Sequence, residues 1–214
     1  MAKRKLAVNP IGRGMLETIK NTAEKNRYYD EATLARIMPE VKKKPNLRRY
    51  MLWTYYSCAR GSELRSLKIK HLDLNVKKIT IMAEHGKTGE HVGKRSIPIC
   101  EELMEIIKDD KLSTLNPEWH IFGNKGVPGG LQADENYFSA LYYPIKIKLG
   151  LDYRWSIYGL KHSRVIDLLI AGFKPIDVMY LTGHTDWGSF QKYIRELGAV
   201  MDTKMTGSTL KLNL

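Results

Sequence analysis

Apolar positions along the 214-residue chain recur mostly at helical intervals, with one stretch where the period drops to two. After an irregular start over residues 1–12, Met15, Ile19 and Thr22 predict a short helix within 14–25. Asp30 is a suitable N-cap for a helix from Glu31 to Met38, and Pro39 predicts its end. Lys42, Lys43 and Lys44 form a basic link whose ordinary reading is a solvated face. Pro45 suits the first turn of a helix carrying Leu47, Tyr50, Met51, Trp53, Thr54 and Tyr55. Its aromatic content predicts burial, and it should end at Ala59, Arg60 and Gly61, with Ser62 capping a short turn to Leu67.

Val76 to Met82 alternates and is rich in β-branched residues, which predicts a strand. Gly86, Lys87, Thr88 and Gly89 supply turn chemistry, and Arg95 to Ile99 reads as the returning strand, with Pro98 pointing to a sheet edge. Helices are then expected over 101–109, 134–149, 155–171 and 175–181. The glycine-rich loop from Phe122 to Gly130 lacks the spacing of a phosphate-binding loop and reads as a flexible connector. The expected fold class is mainly α with a small antiparallel β-sheet or hairpin (α+β). One domain over 1–214 is expected, with its core at about 13–195 and a C-terminal tail, 196–214, that would need a partner surface to be ordered.

Composition changes this picture in one respect. Hydrophobic content of 43% and charged content of 27% are ordinary, but 35 Lys+Arg against 23 Asp+Glu give a net charge of +12. Clustered cations neutralise phosphates and release counterions, so a polyanionic partner such as nucleic acid is the natural reading. A merely basic surface is the plainer one. Cys58 and Cys100 make no disulfide framework and read as reduced, partly buried thiols of a cytoplasmic protein. No run approaches the roughly 18 apolar residues of a membrane span, and the basic start has no signal-peptide core.

Chemistry concentrates near the C-terminus. Tyr158 and Lys161 are three positions apart and so share a helical face, while Leu160, Val165, Leu168 and Leu169 supply the core face. His184 follows Gly183 at or just before a helix start, and Tyr193 lies nine residues on. Upstream, Arg60 ends a buried helix and Glu63 is placed to hold it by a charge-assisted bond. Lys87, flanked by glycines, would ride a hairpin tip from which an ammonium can protonate a leaving oxygen. Each member also has an ordinary structural reading as a packed aromatic, a turn lysine or a helix-junction ion pair. The six histidines (71, 85, 91, 120, 162 and 184) show no metal-ligand spacing, and the acidic residues are scattered.

The ordered set is more specific than its members. Cys58-Ala-Arg60-Gly-Ser-Glu63-Leu, a Gly-Lys87-Thr-Gly hairpin, Leu-Lys161-His162, Leu-Thr-Gly-His184 and Tyr193 resemble the catalytic domain of tyrosine recombinases over about residues 45–195. Intervals of 27 residues from Arg60 to Lys87, 23 from Lys161 to His184 and nine from His184 to Tyr193 match the family pattern. The resemblance implies double-stranded DNA as partner and strand cleavage and rejoining without metal, nucleotide or other cofactor. Tyr193 would attack a phosphodiester to give a 3′-phosphotyrosyl bond. Lys87 would act as general acid toward the 5′-oxygen, and Arg60, Lys161 and His184 would stabilise the transition state. Glu63 falls on the acidic position that steadies the first arginine. Self-association on DNA as a dimer or tetramer is implied as well, with the tail a candidate for docking on a neighbouring protomer.

One motif departs from the pattern. The family usually reads His-x-x-Arg where this chain has Tyr158-Gly-Leu-Lys161, and His162 fits the histidine that often follows the arginine. A tyrosine hydroxyl can hydrogen-bond a phosphate oxygen, and lysine keeps the charge but loses the bidentate fork. Arg164, one turn on, is placed to supply part of it. Such substitutions resemble those in archaeal viral and plasmid integrases and, at the histidine position, in telomere resolvases. About 45 residues before the helix that leads to Arg60 are too few for the family's separate core-binding domain, so a catalytic domain alone is expected. Two alternatives stay open: a catalytically degenerate DNA-binding relative, and a telomere-resolvase-like enzyme that makes DNA hairpins.

Overall fold

A computed structural model describes residues 26–82 and 94–195. Helix α1 runs Glu31–Lys42, α2 Pro45–Ser57 and α3 Gly61–Ser66. A 3-10 turn, Ile69–His71, leads to β1 (Leu72–Asp73), followed by β2 (Lys78–Ile81) and β3 (Arg95–Pro98). Then come α4 (Glu101–Asp109), 3-10 turns at Leu112–Thr114 and Asn124–Gly126, α5 (Tyr137–Lys148), α6 (Tyr158–Ile170) and α7 (Pro175–Thr182). A last helix, α8, occupies 187–195. The architecture is the mainly helical one expected, with a three-stranded antiparallel sheet in the order β1-β2-β3. Pro98 lies on the edge strand β3, and the short strand β1 is an addition to the expected hairpin. The predicted helix over 14–25, the hairpin tip with Lys87 and the tail lie outside the described residues.

Local chemistry explains most boundaries. Asp30 caps α1 by accepting from the Thr33 backbone N–H at 2.7 Å. The predicted stop at Pro39 is wrong: α1 continues to Lys42. A proline there removes one backbone hydrogen bond, but Ile37 and Val41, fully buried on either side of it, keep the apolar stripe on the core. Helix α2 starts at Pro45 and ends with Cys58 in the left-handed region, φ 53°. The cap of α3 is Arg60, not Ser62, because Glu63 reaches back to accept the Arg60 backbone N–H at 2.6 Å.

The core gathers Trp53, Leu47 and Tyr50 of α2 with Ile79 and Ile97 of the sheet, Leu103 and Ile107 of α4, and Phe122 and Phe138. Tyr50 stacks on Phe138 with centroids 3.7 Å apart, and Phe122 meets both edge-on. The glycine-rich loop is therefore no free connector. His120 and Gly129 exchange backbone hydrogen bonds of 2.8 and 3.0 Å, while Asn46 and Tyr137 both donate to the Lys125 carbonyl at 2.8 Å. Arg49 donates to the Gly126 and Ile121 carbonyls and pairs with Asp110. Those partners come from distant elements, which a local reading of Gly and Pro content misses. No described helix is long and apolar enough to cross a membrane.

Candidate active site

A second apolar cluster joins Val165, Ile166, Leu168 and Leu169 of α6 to Val178 of α7 and Phe190 of α8, together with Cys58 and the Tyr193 ring. This packing sets α7 and α8 against α6, and α6 against α2. Asp167 locks α6 further, accepting from the Tyr28 hydroxyl at 2.7 Å and the Tyr55 hydroxyl at 2.6 Å.

At the C-terminus of α7 three cations converge on consecutive carbonyls. Arg95 Nε donates to Leu181 O at 3.4 Å, Lys161 Nζ to Thr182 O at 3.1 Å, and Arg60 Nη2 to Gly183 O at 3.2 Å. A helix end presents unsatisfied carbonyls and the negative pole of its dipole, so it gathers positive charge. Gly183 closes the helix at φ 70°, and a Cβ there would lie 3.1–3.2 Å from the Arg95 guanidinium. Glycine thus meets both a backbone and a space requirement, and the turn it makes delivers His184.

His184 Nδ1 shares a 2.6 Å hydrogen bond with the Thr182 hydroxyl. Burial, then the charges of Lys161, Lys192 and Arg60, push its pKa down to about 4, so its imidazole is neutral near pH 7. Asp186 caps α8 by accepting from Ser189 N at 2.8 Å. The helix then brings the Tyr193 ring 5.5 Å from His184, 4.6 Å from His162 and 5.4 Å from Phe190. Tyr193 is fully buried. Tyr158 stands near enough to Arg60, Glu63 and Tyr193 to feel all three, and burial, the largest influence, raises its pKa. Lys192 holds its ammonium 4.9 Å from the Tyr193 ring centroid.

Lys161 shares the face of Tyr158 as expected, with its ammonium 5.8 Å from that ring. It is fully buried. Desolvation lowers its pKa to about 7, only partly offset by the Glu63 charge. Arg60, Tyr158, Lys161, His184 and Tyr193, spread over 134 positions of sequence, thus form one cluster. Lys87 lies outside the described residues.

Of two expectations about supporting residues, one gains a partner and one needs correction. Glu63 holds Arg60 by its backbone N–H at 2.6 Å and by its guanidinium at 3.4 Å, but its main charge partner is Arg95, at 2.6 and 2.8 Å through both carboxylate oxygens. Both Glu63 and Arg95 are buried, and the paired guanidinium keeps the carboxyl below its usual pKa against the opposing effect of burial, the largest single influence. Arg164 does not extend the cation set at Lys161. Its guanidinium lies over Tyr55 and Tyr56, 5.2 and 5.8 Å from their centroids. Arg95 itself was missed as a site residue, although one signal was present. The strand alternation puts it on the inward face with Ile97, and an inward arginine requires a carboxylate. Among the described residues, no group of three His, Cys, Asp or Glu side chains is placed to hold a metal ion.

Comparison with known proteins bears on the fold and the family. No curated protein sequence matches the chain. The crystal structure of XerA recombinase superposes with a TM-score of 0.65 at 18% identity, over 84% of this chain and 65% of that one. The Tn1549 transposon integrase, solved in complex with transposon right end DNA, gives 0.68 at 14% identity over 94% and 72%. The XerH site-specific recombinase bound to a palindromic difH substrate gives 0.61 at 17% over 83% and 52%. This chain therefore spans between about half and three quarters of the length of those solved chains, and at such identities the likeness is one of fold. A model of the phage integrase family matches residues 27–198, and over that length the chain belongs to this family, that of the tyrosine recombinases.

Proposed function

We propose that this chain is a site-specific recombinase or integrase that cuts and rejoins strands of double-stranded DNA, with Tyr193 as nucleophile. The observation that carries the reading is the convergence of Arg60 and Lys161 on the end of α7, where the next residue, His184, has its ring 5.5 Å from that of Tyr193. The family and the net charge of +12 support a DNA partner.

In the proposed step the Tyr193 oxygen bonds to phosphorus as the bond from phosphorus to the 5′-oxygen breaks, and a 3′-phosphotyrosyl ester forms. The tyrosine proton leaves to a base, for which the neutral His184 imidazole is available near pH 7. Lys87, by the resemblance, returns a proton to the 5′-oxygen. Arg60, Lys161 and the Tyr158 hydroxyl hold the non-bridging oxygens as negative charge builds. Rejoining is the reverse attack by a 5′-hydroxyl, so the ester conserves the bond energy and no cofactor is consumed. Full burial of both Tyr193 and Lys161 requires the packing around them to open before either side chain meets a phosphate. The tail over 196–214, assembly into a dimer or tetramer on DNA, and delivery of Tyr193 within or between protomers belong to the same proposal. So does the placement among archaeal viral and plasmid integrases, which rests on the Tyr158/Lys161 pair.

The test is covalent trapping on a pool of nicked suicide duplexes of randomised sequence. Wild type should form a protease-sensitive protein–DNA adduct that Tyr193→Phe abolishes; adduct in that variant would reassign the nucleophile. Lys87→Ala should be rescued by a 5′-thiol leaving group, which needs no proton. The buried, weakly basic Lys161 favours one competing reading, a degenerate DNA-binding relative. That reading requires salt-dependent binding with no adduct on any duplex, whereas hairpin products from palindromic duplexes would point to telomere-resolvase-like chemistry.

A further inference from the structure

We propose that Arg95 is a positioning residue of the active site, matching the charge of the Glu63 carboxylate in place of the Arg60 guanidinium and bracing the turn that presents His184. The inference rests on the recombinase reading above, which assigns it no role. Arg95 opens β3 facing inward and is almost wholly out of solvent. Two of its nitrogens take both oxygens of Glu63, and Nε reaches Leu181 O, so one guanidinium spans α3, β3 and the end of α7. Guanidinium is the side chain able to do this, since its donors fan out in one rigid plane.

Two consequences follow for neighbouring groups. Glu63 has an alternative partner at hand, because Arg60 Nη1 is 3.4 Å from the same Oε1 that Arg95 binds at 2.6 Å. With its charge matched by Arg95, Glu63 draws less on the Arg60 guanidinium, whose other nitrogen is turned to Gly183. Without Arg95, a buried carboxylate would take Arg60 as its nearest cation and withdraw it from a phosphate. The second consequence lies at Gly183, against which the Arg95 guanidinium packs closely enough to crowd a Cβ, at 3.1–3.2 Å. That contact fixes the height of the turn, and the residue after the turn is His184.

Arg95→Gln and Arg95→Lys test the assignment. With suicide duplex at saturation, Arg95→Gln should slow single-turnover adduct formation about a hundredfold, the scale of a misplaced catalytic group, while affinity for the duplex stays unchanged. Arg95→Lys, which keeps the charge but not the fork, should fall between that variant and wild type. The NMR titration midpoint of His184 should shift upward in both. A folded Arg95→Gln protein with the wild-type rate and His184 midpoint overturns the proposal. If that variant does not fold, Arg95→Lys decides, and its identity with wild type in both measurements overturns the proposal equally. A wild type that forms no adduct sinks the recombinase reading instead, and the His184 titration then still decides the role of Arg95.

Discussion

The ammonium of Lys161 is fully buried and donates to the Thr182 carbonyl oxygen at 3.1 Å. A charge so placed is costly, and the fold offsets the cost with a helix-terminal carbonyl and the nearby Glu63 carboxylate. The result is a lysine whose pKa has fallen to about 7.

Activity should therefore depend on pH through this group. If charged Lys161 binds phosphate, the adduct-forming rate at subsaturating duplex should decline as pH rises through about 7. Lys161→Arg stays charged throughout and should lose that limb of the profile. Stability moves the other way. The unfolded chain keeps this proton up to about 10.4, so it binds more protons than the native state between the two pKa values, and raising pH across that window stabilises wild type relative to Lys161→Met. Urea midpoints measured from pH 6 to 9 would show no such divergence if the lysine were ordinary.

His184 should contribute acid sensitivity. Its native pKa of about 4 lies below the ordinary 6.5, chiefly through burial, so below 6.5 the unfolded chain takes up a proton that the native state refuses. Stability from this group is fully present above 6.5 and declines as pH falls toward 4. His184→Gln should flatten the denaturation midpoint between those pH values; an equally steep decline in the variant would place the acid sensitivity elsewhere.

Gly183→Ala should be costly twice. The left-handed backbone at φ 70° carries a penalty of roughly 1–2 kcal/mol for alanine, and the new methyl would press on the Arg95 guanidinium. Chemical denaturation measures the first effect. The second should appear as a loss of adduct formation at temperatures where the variant is still fully folded. Retention of the wild-type rate there would mean that the turn tolerates displacement.

Pro39→Ala should stabilise the protein. Pro39 is exposed within α1, and replacement restores an N–H that can bond the Ala35 carbonyl and relieves the ring's crowding of that turn. An interior proline costs a helix about 3 kcal/mol, so a gain of about 1–3 kcal/mol is expected in urea unfolding. Unchanged stability would show that the helix has already adapted to the ring.

What the chain's order settled is local. Tyr158 and Lys161 share a face because three positions make most of a helical turn, and Gly183 precedes His184 because a helix ends most easily on a left-handed glycine. The cap at Asp30, the helix start at Pro45, the paired strands and the run from Asp186 into Tyr193 follow from the same short-range rules. The partner of Glu63 was legible only in part. Arg60 is near in sequence, but a bidentate grip requires the strand register and depth that set Arg95 opposite the carboxylate, 32 positions away. Arg164 could not be placed by spacing either, since the aromatic pair Tyr55 and Tyr56 competes for it from another helix. Nor does a lysine in a motif announce that it is buried and that burial lowers its pKa. Helix periodicity and turn chemistry act over a few residues and survive in a linear reading. Ion pairing and desolvation depend on which surfaces close over a group, and in this protein only the packing of α6, α7 and β3 decides that.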